Sequence, residues 1–525
     1  MTLLVLTLSH CNIDQLDFEE IQIPNHQGDF GLALIPAVYT MQDLIAELQD
    51  SSLVIEEDNS LLLKVIYRDT SAFEDVDEIV IIEDIEPNPG NISPGFDIPA
   101  SPTDVDIEHT ENLSFNYPIS GDEELDSIIY TAGSIRLDIT STFDVDFEFD
   151  FVIDDIMDRA DDSPIVFSET LTGGQTITRS QSLVNHRTVA ERIGNENIFT
   201  GTFTGTLLVK TNDVVSPDQM LNYTISISGI EFETIYGYFG EKTFDIQSQT
   251  VEIGFFEGID VGGFTFNDPS INISIDNYIG VPLGADLQNI MSSNAEGDTR
   301  SLTGSVVDNL QSVRAPSVNN VGGFLKSLIT IDNDNSNIRD LLNISPNLIT
   351  LEIGATTNHN ITEPAENRNF VTSDGKADIY IDLEMPLDVK LEGFSRNFDF
   401  SLDSVDVEET DTVRLLARAI NLMPFTGMVD LQLVDADSVV LYEFLDILLI
   451  ESPELLSGRA EEAKETFTEV KLSGESLEAF MNTSRLNLVM SVDSFNADMD
   501  EYVKIYSDYQ LELKVALRAN LNKEL

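Results

Sequence analysis

Residues 143–153, "FDVDFEFDFVI", alternate between apolar and acidic side chains. Successive side chains of a β-strand point to opposite faces, so the stretch predicts a strand with one apolar face and one row of carboxylates. The apolar members are Phe143, Val145, Phe147, Phe149 and Phe151, and the acidic members are Asp144, Asp146, Glu148 and Asp150. Antiparallel sheets with one face in water show this alternation, whereas buried parallel sheets do not. The carboxylate row is either a solvated face or a Ca²⁺ site.

The same alternation dominates residues 110–290 and returns from about residue 375 to the end. Short helical or mixed segments lie between these regions, and residues 458–470, "GRAEEAKETFTEV", have helical composition. A chain of 525 residues is also too long for one ordinary core. We therefore expect a mainly β fold with several antiparallel β-sandwich or barrel-like modules and a few short helices.

Changes in composition suggest where the chain divides. Residues 86–104, "EPNPGNISPGFDIPASPTD", hold five prolines, which disfavour a helix or a central strand and predict a stiff linker or a long surface loop. Acidic residues crowd the segment just before it, "EDVDEIVIIEDIE" at 74–86. The predicted division is a residual lipoprotein signal at 1–11, a small N-terminal domain at 12–86, a Pro-rich linker at 87–109, a first large β domain at 110–300, a mixed helical and β connector at 301–374, and a C-terminal β-sandwich domain at 375–525.

The charge balance excludes some classes of partner. Asp and Glu number 94 against 27 Lys and Arg, which gives a net charge of −67. Such a chain repels polyanions, so we expect no nucleic-acid binding, and direct docking on anionic lipid headgroups is disfavoured. Salt makes this self-repulsion tolerable, because the Debye length falls from about 10 Å at 0.1 M to about 3 Å at 1 M. We infer salty surroundings, such as sea water.

No catalytic motif and no zinc-binding motif is visible in the sequence. The five histidines are isolated along the chain, at His10, His26, His109, His186 and His359. A single cysteine excludes a disulfide framework and a thiolate zinc site, and neither a nucleophile elbow nor a phosphate-binding loop is found. We expect a non-enzymatic protein without cofactor or metal. The alternative, an acid-pair hydrolase, requires two facing carboxylates, one of them with a raised pKa.

Two segments, 266–288 and 412–435, share one design. Each has an alternating apolar strand, an asparagine (Asn277 or Asn421), a short turn, a proline and a second strand-like run. Asparagine tolerates the left-handed backbone of turns. This shared design suggests two related β-modules, one in each half of the chain.

Residues 332–340, "DNDNSNIRD", partly match a calcium-binding loop. The candidate ligands, at loop positions 1, 3, 5 and 9, are Asp332, Asp334, Ser336 and Asp340. The loop lacks the usual glycine at position 6, where Asn337 stands, and the usual glutamate at position 12, where Asn343 stands. Capping of a following helix by Ser or Asn explains the same residues.

The N-terminus carries the most specific local signal. Leu8, Ser9 and Cys11 match a bacterial lipoprotein box, although His10 stands where a small residue is usual and no basic residue precedes the apolar stretch. We predict that Cys11 is the lipid-attachment residue. The alternative is a short apolar strand with a buried free thiol.

The Cys11 box and the acidic residues behind it resemble surface-exposed envelope lipoproteins of Bacteroidota. Further segments that carry this resemblance are "YGYFGEKTFDI" (236–246), "FNDPSINISIDNYIGVPLG" (266–284), "DNSNIRDLLNISPNLITLEIGATTN" (334–358) and "YVKIYSDYQLELKVALRANL" (502–521). The 266–284 strand also resembles, more distantly, the β modules of LEA14-like proteins and BPI-like (TULIP) lipid-binding proteins. The resemblance implies an all-β, non-enzymatic lipoprotein of the outer membrane, on its periplasmic face or the cell surface. Some such proteins accompany secretion or gliding assemblies.

These inferences lead to two expectations for function. In the first, the chain is a structural or protein-binding component of a bacterial envelope assembly, held to the membrane by its lipid and bound to outer-membrane or surface proteins. In the second, apolar strand faces such as Phe143–Phe151 curl around a lipid or another hydrophobic ligand. A continuous apolar tunnel would favour the carrier, and a tightly packed core would exclude it.

Overall fold

The computed structural model describes residues 28–41, 53–119, 123–246, 248–254, 261–362, 366–401 and 410–521. Within these ranges the chain forms antiparallel β-sheets with three short α-helices and two 3₁₀ turns. The helices are α1 (Ser305–Asp308), α2 (Ile338–Leu342) and α3 (Glu475–Met481), and the 3₁₀ turns are Val76–Glu78 and Ala497–Met499. The mainly β fold with a few short helices is therefore confirmed.

The strands follow one another along the whole described chain. In order they are β1 (Gly28–Thr40), β2 (Leu53–Glu57), β3 (Leu63–Phe73), β4 (Ile85–Ile92), β5 (Val105–Tyr117), β6 (Glu124–Ser141), β7 (Asp146–Asp158), β8 (Pro164–Leu171), β9 (Thr176–Ser182), β10 (His186–Val189), β11 (Glu191–Ile193), β12 (Glu196–Val209), β13 (Leu221–Tyr238), β14 (Thr243–Asp245), β15 (Gln249–Glu252), β16 (Val261–Phe266), β17 (Ser270–Asn277), β18 (Leu283–Ser293), β19 (Thr299–Ser301), β20 (Gln311–Val313), β21 (Leu325–Ile331), β22 (Leu348–Thr357), β23 (Asn369–Thr372), β24 (Ala377–Pro386), β25 (Asp388–Ser401), β26 (Thr410–Asn421), β27 (Phe425–Val434), β28 (Val440–Ile450), β29 (Leu455–Leu456), β30 (Arg459–Ala460), β31 (Lys464–Leu472), β32 (Arg485–Ser494), β33 (Val503–Lys504) and β34 (Gln510–Leu521).

Five main sheets result from the pairing of these strands. An eleven-stranded sheet has the central order β11-β12-β7-β10-β6-β13-β23, with β4, β5, β8 and β9 attached at its sides. Two six-stranded sheets have the central orders β14-β22-β18-β19 and β16-β25-β32-β27-β28. A five-stranded sheet has the order β2-β3-β24-β17-β21, and a four-stranded sheet has the order β1-β34-β26-β31.

The strand β7 contains most of the stretch that predicts the fold, and its apolar side chains form the core of the eleven-stranded sheet. All five predicted apolar residues of 143–151 are buried, and the four acidic residues between them are exposed. The ring of Phe151 lies 5.8 Å from that of Tyr223 on β13, three strands away in the hydrogen-bonded order. The sheet therefore curls upon itself and encloses its aromatic face.

Glycine makes room for one of these rings. A Cβ atom at Gly205 on β12 would lie 2.3 Å from the ring of Phe147 on β7. The two residues lie on adjacent strands, and the rings of Phe147 and Phe203 are 6.1 Å apart. A larger residue at 205 would force these rings out of their packing.

The sheets combine strands from distant parts of the chain. The five-stranded sheet draws β2 and β3 from the predicted segment 12–86, β17 from 110–300, β21 from 301–374 and β24 from 375–525. The strand β1 pairs over its length with β34 near the other end of the chain. Each predicted segment is continuous in sequence, whereas these two sheets combine strands from more than one segment.

Part of the predicted proline-rich linker is paired backbone. Residues 87–92 belong to β4 and residues 105–109 to β5. The strand β4 lies at one side of β13, which pairs with β6 on its other side. A strand at the edge of a sheet has only one hydrogen-bonded neighbour. The prolines of β4, which lack an N–H donor, are therefore compatible with its pairing to β13.

The two segments of shared design, 266–288 and 412–435, have the same local structure. The side-chain oxygen of Asn277 accepts from the N–H of Ile279, and its Nδ2 donates to the carbonyl of Val281, at 2.9 and 3.1 Å. The oxygen and Nδ2 of Asn421 bond in the same way to the residues two and four positions further on, at 2.9 and 3.0 Å. Neither asparagine has a positive φ. Their shared role is therefore to bond a turn from a buried position, not to adopt a left-handed backbone.

Candidate binding groove

The predicted lipid-attachment residue, Cys11, lies outside the described residues, as does His10. Its role as an anchor depends on the sequence alone. In the described ranges, no helix is both long and apolar enough to span a bilayer.

The row of carboxylates at residues 144–150 is a solvated face with neutral hydrogen-bond donors beside it. Gln219 donates its Nε2 to Asp144 at 2.6 Å, and the hydroxyl of Ser168 donates to Asp150. Among the described residues, no three His, Cys, Asp or Glu side chains are grouped so as to hold a metal ion.

Polar groups of the possible calcium loop form hydrogen bonds with nearby backbone N–H groups. Asp332 accepts from the N–H of Asp334 at 3.0 Å, and the hydroxyl of Ser336 accepts from the N–H of Ile338 at the start of α2, at 3.3 Å. Asn337 points away from the helix and accepts from the N–H of Thr303 at 2.6 Å. The N-cap residue Asn337 thus makes no side-chain capping bond to α2 and instead bonds the loop to a neighbouring segment, while Ser336 contacts only the first N–H of the helix.

An acid catalyst needs a carboxyl group with a raised pKa, and the resolved shifts run the other way. Hydrogen bonds from neighbouring residues lower the pKa of the carboxyl groups of Asp58, Asp104, Asp138, Asp161, Asp500 and Glu512. These groups hold their charge more strongly than a free carboxylate. None of these six has the property that the hydrolase alternative requires.

The aromatic stripe that would line a lipid carrier is filled by the chain's own rings. Phe149 and Phe151 on β7 both pack on Phe203, with ring centroids 5.8 and 6.0 Å apart. Phe147, Phe151 and Phe203 are at most 2% exposed. A lipid carrier would need a cavity in another part of the chain.

A groove of about 560 Å³ lies where the segment after β3 meets a bulged part of β13. Its apolar lining consists of Val76, Ile81, Ile82, Ile230 and Phe232. Four exposed carboxylates belong to the same lining, Glu74, Asp75, Asp77 and Glu231, and the remaining lining residues are Thr131 and Ser373. We call this feature the acidic groove. Its lining contains four carboxylates and no lysine or arginine.

Local backbone geometry positions the two walls of the acidic groove. The turn Val76–Glu78 buries Val76 and leaves the acids beside it exposed. On the opposite wall, β13 shifts its register against β6 between residues 228 and 234, a stretch that includes Gly229 with a φ of 67°. Such bulges redirect side chains, and here Ile230 and Phe232 are only partly buried.

Buried contacts hold the first wall against the body of the protein. Lys242 donates its Nζ to the backbone carbonyl of Ile79 at 2.6 Å and pairs with the buried Glu123 at 2.5 Å. Phe73, just before the groove, stacks on Phe244 with centroids 4.8 Å apart. The groove is therefore a preformed feature, although Ile81 in its lining remains 59% exposed.

Sequence reasoning missed this groove. The acidic run 74–86 is visible in the sequence, but Ile230 and Phe232 lie about 150 residues further along the chain. The bulge in β13 that exposes Ile230 and Phe232 to the groove produces no recognisable periodicity in the sequence. The useful signal was the mixture of isoleucines and acids in a segment that fits neither a strand nor a helix.

Comparisons with known proteins show no family. No protein-family model and no curated protein matches the chain. Among solved structures it is similar to a Parabacteroides distasonis protein thought to be secreted, with 13% identity and a TM-score of 0.31 over 55% of this chain and 90% of that one. It is also similar to the N-terminal CBM22 tandem domain of Xyn10C from Paenibacillus barcinonensis, with 8% identity and a TM-score of 0.14 over 55% and 86% of the two chains. TM-scores this low carry no argument about function.

Proposed function

We propose that this protein is a non-enzymatic, protein-binding component of a bacterial outer-membrane assembly, anchored through a lipid on Cys11. The observation that supports this proposal best is the acidic groove, a partly exposed apolar surface that shares its lining with four exposed carboxylates. Contiguous exposed apolar surface with a polar rim is typical of interaction sites.

The chemistry of the groove defines the partner segment. Ile81, Ile82 and Phe232 offer apolar contact, while Glu74 and Asp77 would repel an acidic chain. A segment that alternates apolar side chains with lysine or arginine satisfies both requirements. Because the rim charges are exposed, they contribute mainly to the rate and selectivity of association, and the apolar contacts supply most of the affinity.

The anchor places the groove at a membrane. One acyl chain gives only marginal binding, so stable attachment implies the several chains of a mature lipoprotein. Labelled palmitate should be incorporated into the wild-type protein and lost in Cys11→Ala. Incorporation that persists in Cys11→Ala would exclude this residue as the attachment point.

In-cell crosslinking with mass spectrometry tests the groove. The wild type should crosslink near residues 74–82 to one partner protein, through a peptide with both basic and apolar residues. Glu74→Lys combined with Asp77→Lys should reduce this product about tenfold or more, since two attractive charges become repulsive.

The matched control is Asp146→Lys with Glu148→Lys, which makes the same change of charge on the exposed face of β7. It should leave the crosslinked product unchanged. Equal losses in both double variants would show that only the overall charge matters and would exclude the groove as the binding site.

A further inference from the structure

The outer face of the five-stranded sheet carries a strip of short polar side chains. The strip follows β17, which lies between β21 and β24. The isoleucines of β17 are buried in the core, so the residues between them lie on the outer face. These residues are Ser270, Asn272, Ser274 and Asp276. We call this strip, together with the outer-face residues of β21 and β24 that flank it, the polar furrow.

Longer side chains on the two neighbouring strands form the walls of the polar furrow. Leu328 on β21 and Tyr380 on β24 are paired with Ser274 from its two sides, and they are 65% and 40% exposed. Strands in a sheet are about 4.8 Å apart, and each residue adds about 3.3 Å along a strand. The two wall strands are therefore about 10 Å apart, and the strip from Ser270 to Asp276 is about 20 Å long. These dimensions suit an extended ligand better than a compact one.

The charges along the polar furrow are balanced, although the chain as a whole has a net charge of −67. Each of the four carboxylates in its paired rows has a cation within 4.0 Å. The pairs are Asp276 with Lys326 at 3.3 Å, Asp378 with Lys376 at 3.0 Å, Asp382 with Arg68 at 3.7 Å, and Glu384 with Lys64 at 3.1 Å.

Two further carboxylates adjoin these rows. Glu56 on β2 also pairs with Arg68, at 2.8 Å, and Asp332, just after β21, accepts a hydrogen bond from the N–H of Asp334. The furrow thus has no excess of positive charge for an anion, and its carboxylates already have partners. A charged ligand would have to separate these pairs, so the balance favours an uncharged ligand.

The floor of the polar furrow offers both donors and acceptors of hydrogen bonds. The hydroxyl of Ser274 makes no hydrogen bond within the described part of the chain. Asn272 accepts from the hydroxyl of Thr330 at 2.9 Å and donates to Glu384 at 3.2 Å, which leaves its amide one N–H and one lone pair. The ammonium of Lys326 adds further N–H donors beside Asp276. A ligand rich in hydroxyl groups, which both donate and accept, matches this floor.

Aromatic rings lie at two positions along the polar furrow. The ring of Tyr380 is part of one wall, and the Nζ of Lys326 lies 5.7 Å from its centroid. At one end of the furrow Tyr278 packs on Phe324, which is 44% exposed, with ring centroids 4.9 Å apart. Tyr278 lies four residues beyond Ser274, about 13 Å along the strand. The rings offer flat apolar surface at both positions.

We propose that the polar furrow binds an uncharged polysaccharide. A sugar ring has apolar C–H groups on its faces and hydroxyl groups around its edge. The Tyr380 ring and the Leu328 side chain match the faces, while the floor matches the hydroxyl groups. Apolar walls with a few polar groups that fix the orientation are typical of ligand sites. This site lies on another sheet than β13 of the acidic groove, and it does not depend on the anchor at Cys11.

Isothermal titration calorimetry of the full chain tests the proposal. The probes are four neutral linear hexasaccharides, of β-1,3-glucose, β-1,4-glucose, α-1,4-glucose and β-1,4-mannose, and an anionic alginate hexamer of the same length. At least one neutral probe should bind, and the alginate hexamer should not. The affinity should stay the same while the Debye length falls from about 10 Å at 0.1 M NaCl to about 3 Å at 1 M. Binding of none of the neutral probes, or a preference for the alginate hexamer, would overturn the proposal.

A substitution that fills the polar furrow localises the contact. Ser274→Phe places a ring between Leu328 and Tyr380 and should weaken binding about tenfold or more, because the ligand loses both walls. The matched control is Thr204→Phe, which makes a similar change at an exposed position on the outer face of the eleven-stranded sheet. It should bind as the wild type does. Equal losses in the two variants would contradict the proposal.

The wall residue Tyr380 gives a second measurement that remains informative if Ser274→Phe fails to fold. Tyr380→Ala should weaken binding about tenfold or more, whereas Tyr380→Phe keeps the ring and should retain most of the affinity. Circular dichroism should show the same thermal unfolding for both variants. Wild-type affinity in Tyr380→Ala would exclude the furrow as the sugar site. The crosslinking test of the acidic groove uses other residues, so the two proposals can fail separately.

Discussion

The acidic groove and the four-stranded sheet both expose a large apolar side chain, but the charges around it differ. Ile81 in the groove is 59% exposed, and the groove lining contains four carboxylates and no lysine or arginine. Phe467 on β31 is 74% exposed and lies beside Arg418, which pairs with Glu465. A single exposed apolar side chain is common on a protein surface, so the charge around it is what distinguishes the groove.

The comparison also shows what the net charge conceals. A value of −67 describes the chain as a whole, whereas a partner at a surface responds to the charges within about one Debye length. The average correctly leads to an acidic groove. It does not reveal the mixed charges of the four-stranded sheet, where Arg414 and Arg418 pair with Glu469 and Glu465.

The largest expected effect comes from removing a ring from the core of the eleven-stranded sheet, to which β13 of the groove also belongs. Phe151→Ala should lower the free energy of unfolding by about 3–5 kcal/mol, because a fully buried ring is replaced by a cavity. Urea denaturation measures this loss. Val166→Ala, at a position 50% exposed on the adjacent strand β8, should change it by less than about 0.5 kcal/mol. A loss below about 1 kcal/mol for Phe151→Ala would show that the aromatic face is not a packed core.

A second prediction compares the two buried asparagines that bond a turn, one in each half of the chain. Asn277→Ala and Asn421→Ala each remove a buried side chain that bonds its own turn, so each should cost about 1–3 kcal/mol. Both values come from the same denaturation assay, with Asn88→Ala on the edge strand β4 as an exposed control. If one substitution is costly and the other neutral, the two modules are not equivalent.

Alkaline pH should weaken the eleven-stranded sheet. Burial raises the pKa of Tyr130 to about 12 and places the pKa of Tyr117 well above 10, and the two hydroxyls share a hydrogen bond. The folded protein keeps these protons after the unfolded chain has lost them. Stability is therefore complete below about pH 10 and falls from there towards pH 12, by about 1.4 kcal/mol per pH unit for each group.

Thermal unfolding at increasing pH measures this effect. Tyr130→Phe should show a shallower loss of stability above pH 10 than the wild type. The same slope in both proteins would mean that the buried tyrosine pair does not control the alkaline transition.

The smallest effects sharpen the comparison of the two surfaces most directly. Asp77→Asn and Glu469→Gln each remove one exposed negative charge and should change stability by less than about 0.5 kcal/mol. Asp77→Asn should weaken crosslinking of the partner at the groove severalfold, whereas Glu469→Gln, on the four-stranded sheet, should leave it unchanged. Equal weakening by both substitutions would contradict the assignment of binding to the groove.

The alternation of side chains was sufficient to predict the class of fold. The strand around Phe147 and Phe151 satisfies a local rule, because one face is buried and the other is in water. The order of the strands could not be predicted in this way. The four-stranded sheet pairs β1 with β34, and no local pattern encodes a pairing between residues almost 500 positions apart.

The prediction of helical composition at 458–470 was wrong. Residues Lys464–Leu472 form β31, and pairing with β26 overrides the helix preference of alanine, glutamate and lysine. In a helix Phe467 would share a face with residues three and four positions away. In the strand it lies directly opposite Arg418, a pairing that no local pattern in the sequence predicts.

Photo-crosslinking in the native membrane at two positions, Ile81 and Phe467, tests the central claim most directly. A diazirine side chain at 81 should yield an adduct with one protein, identified by mass spectrometry, and the same side chain at 467 should not yield this adduct. The exposed Val166 serves as the background position. A protein adduct at 81 alone would confirm the acidic groove as the binding site. The same adduct at all three positions, or no product at 81 above that at Val166, would contradict the account.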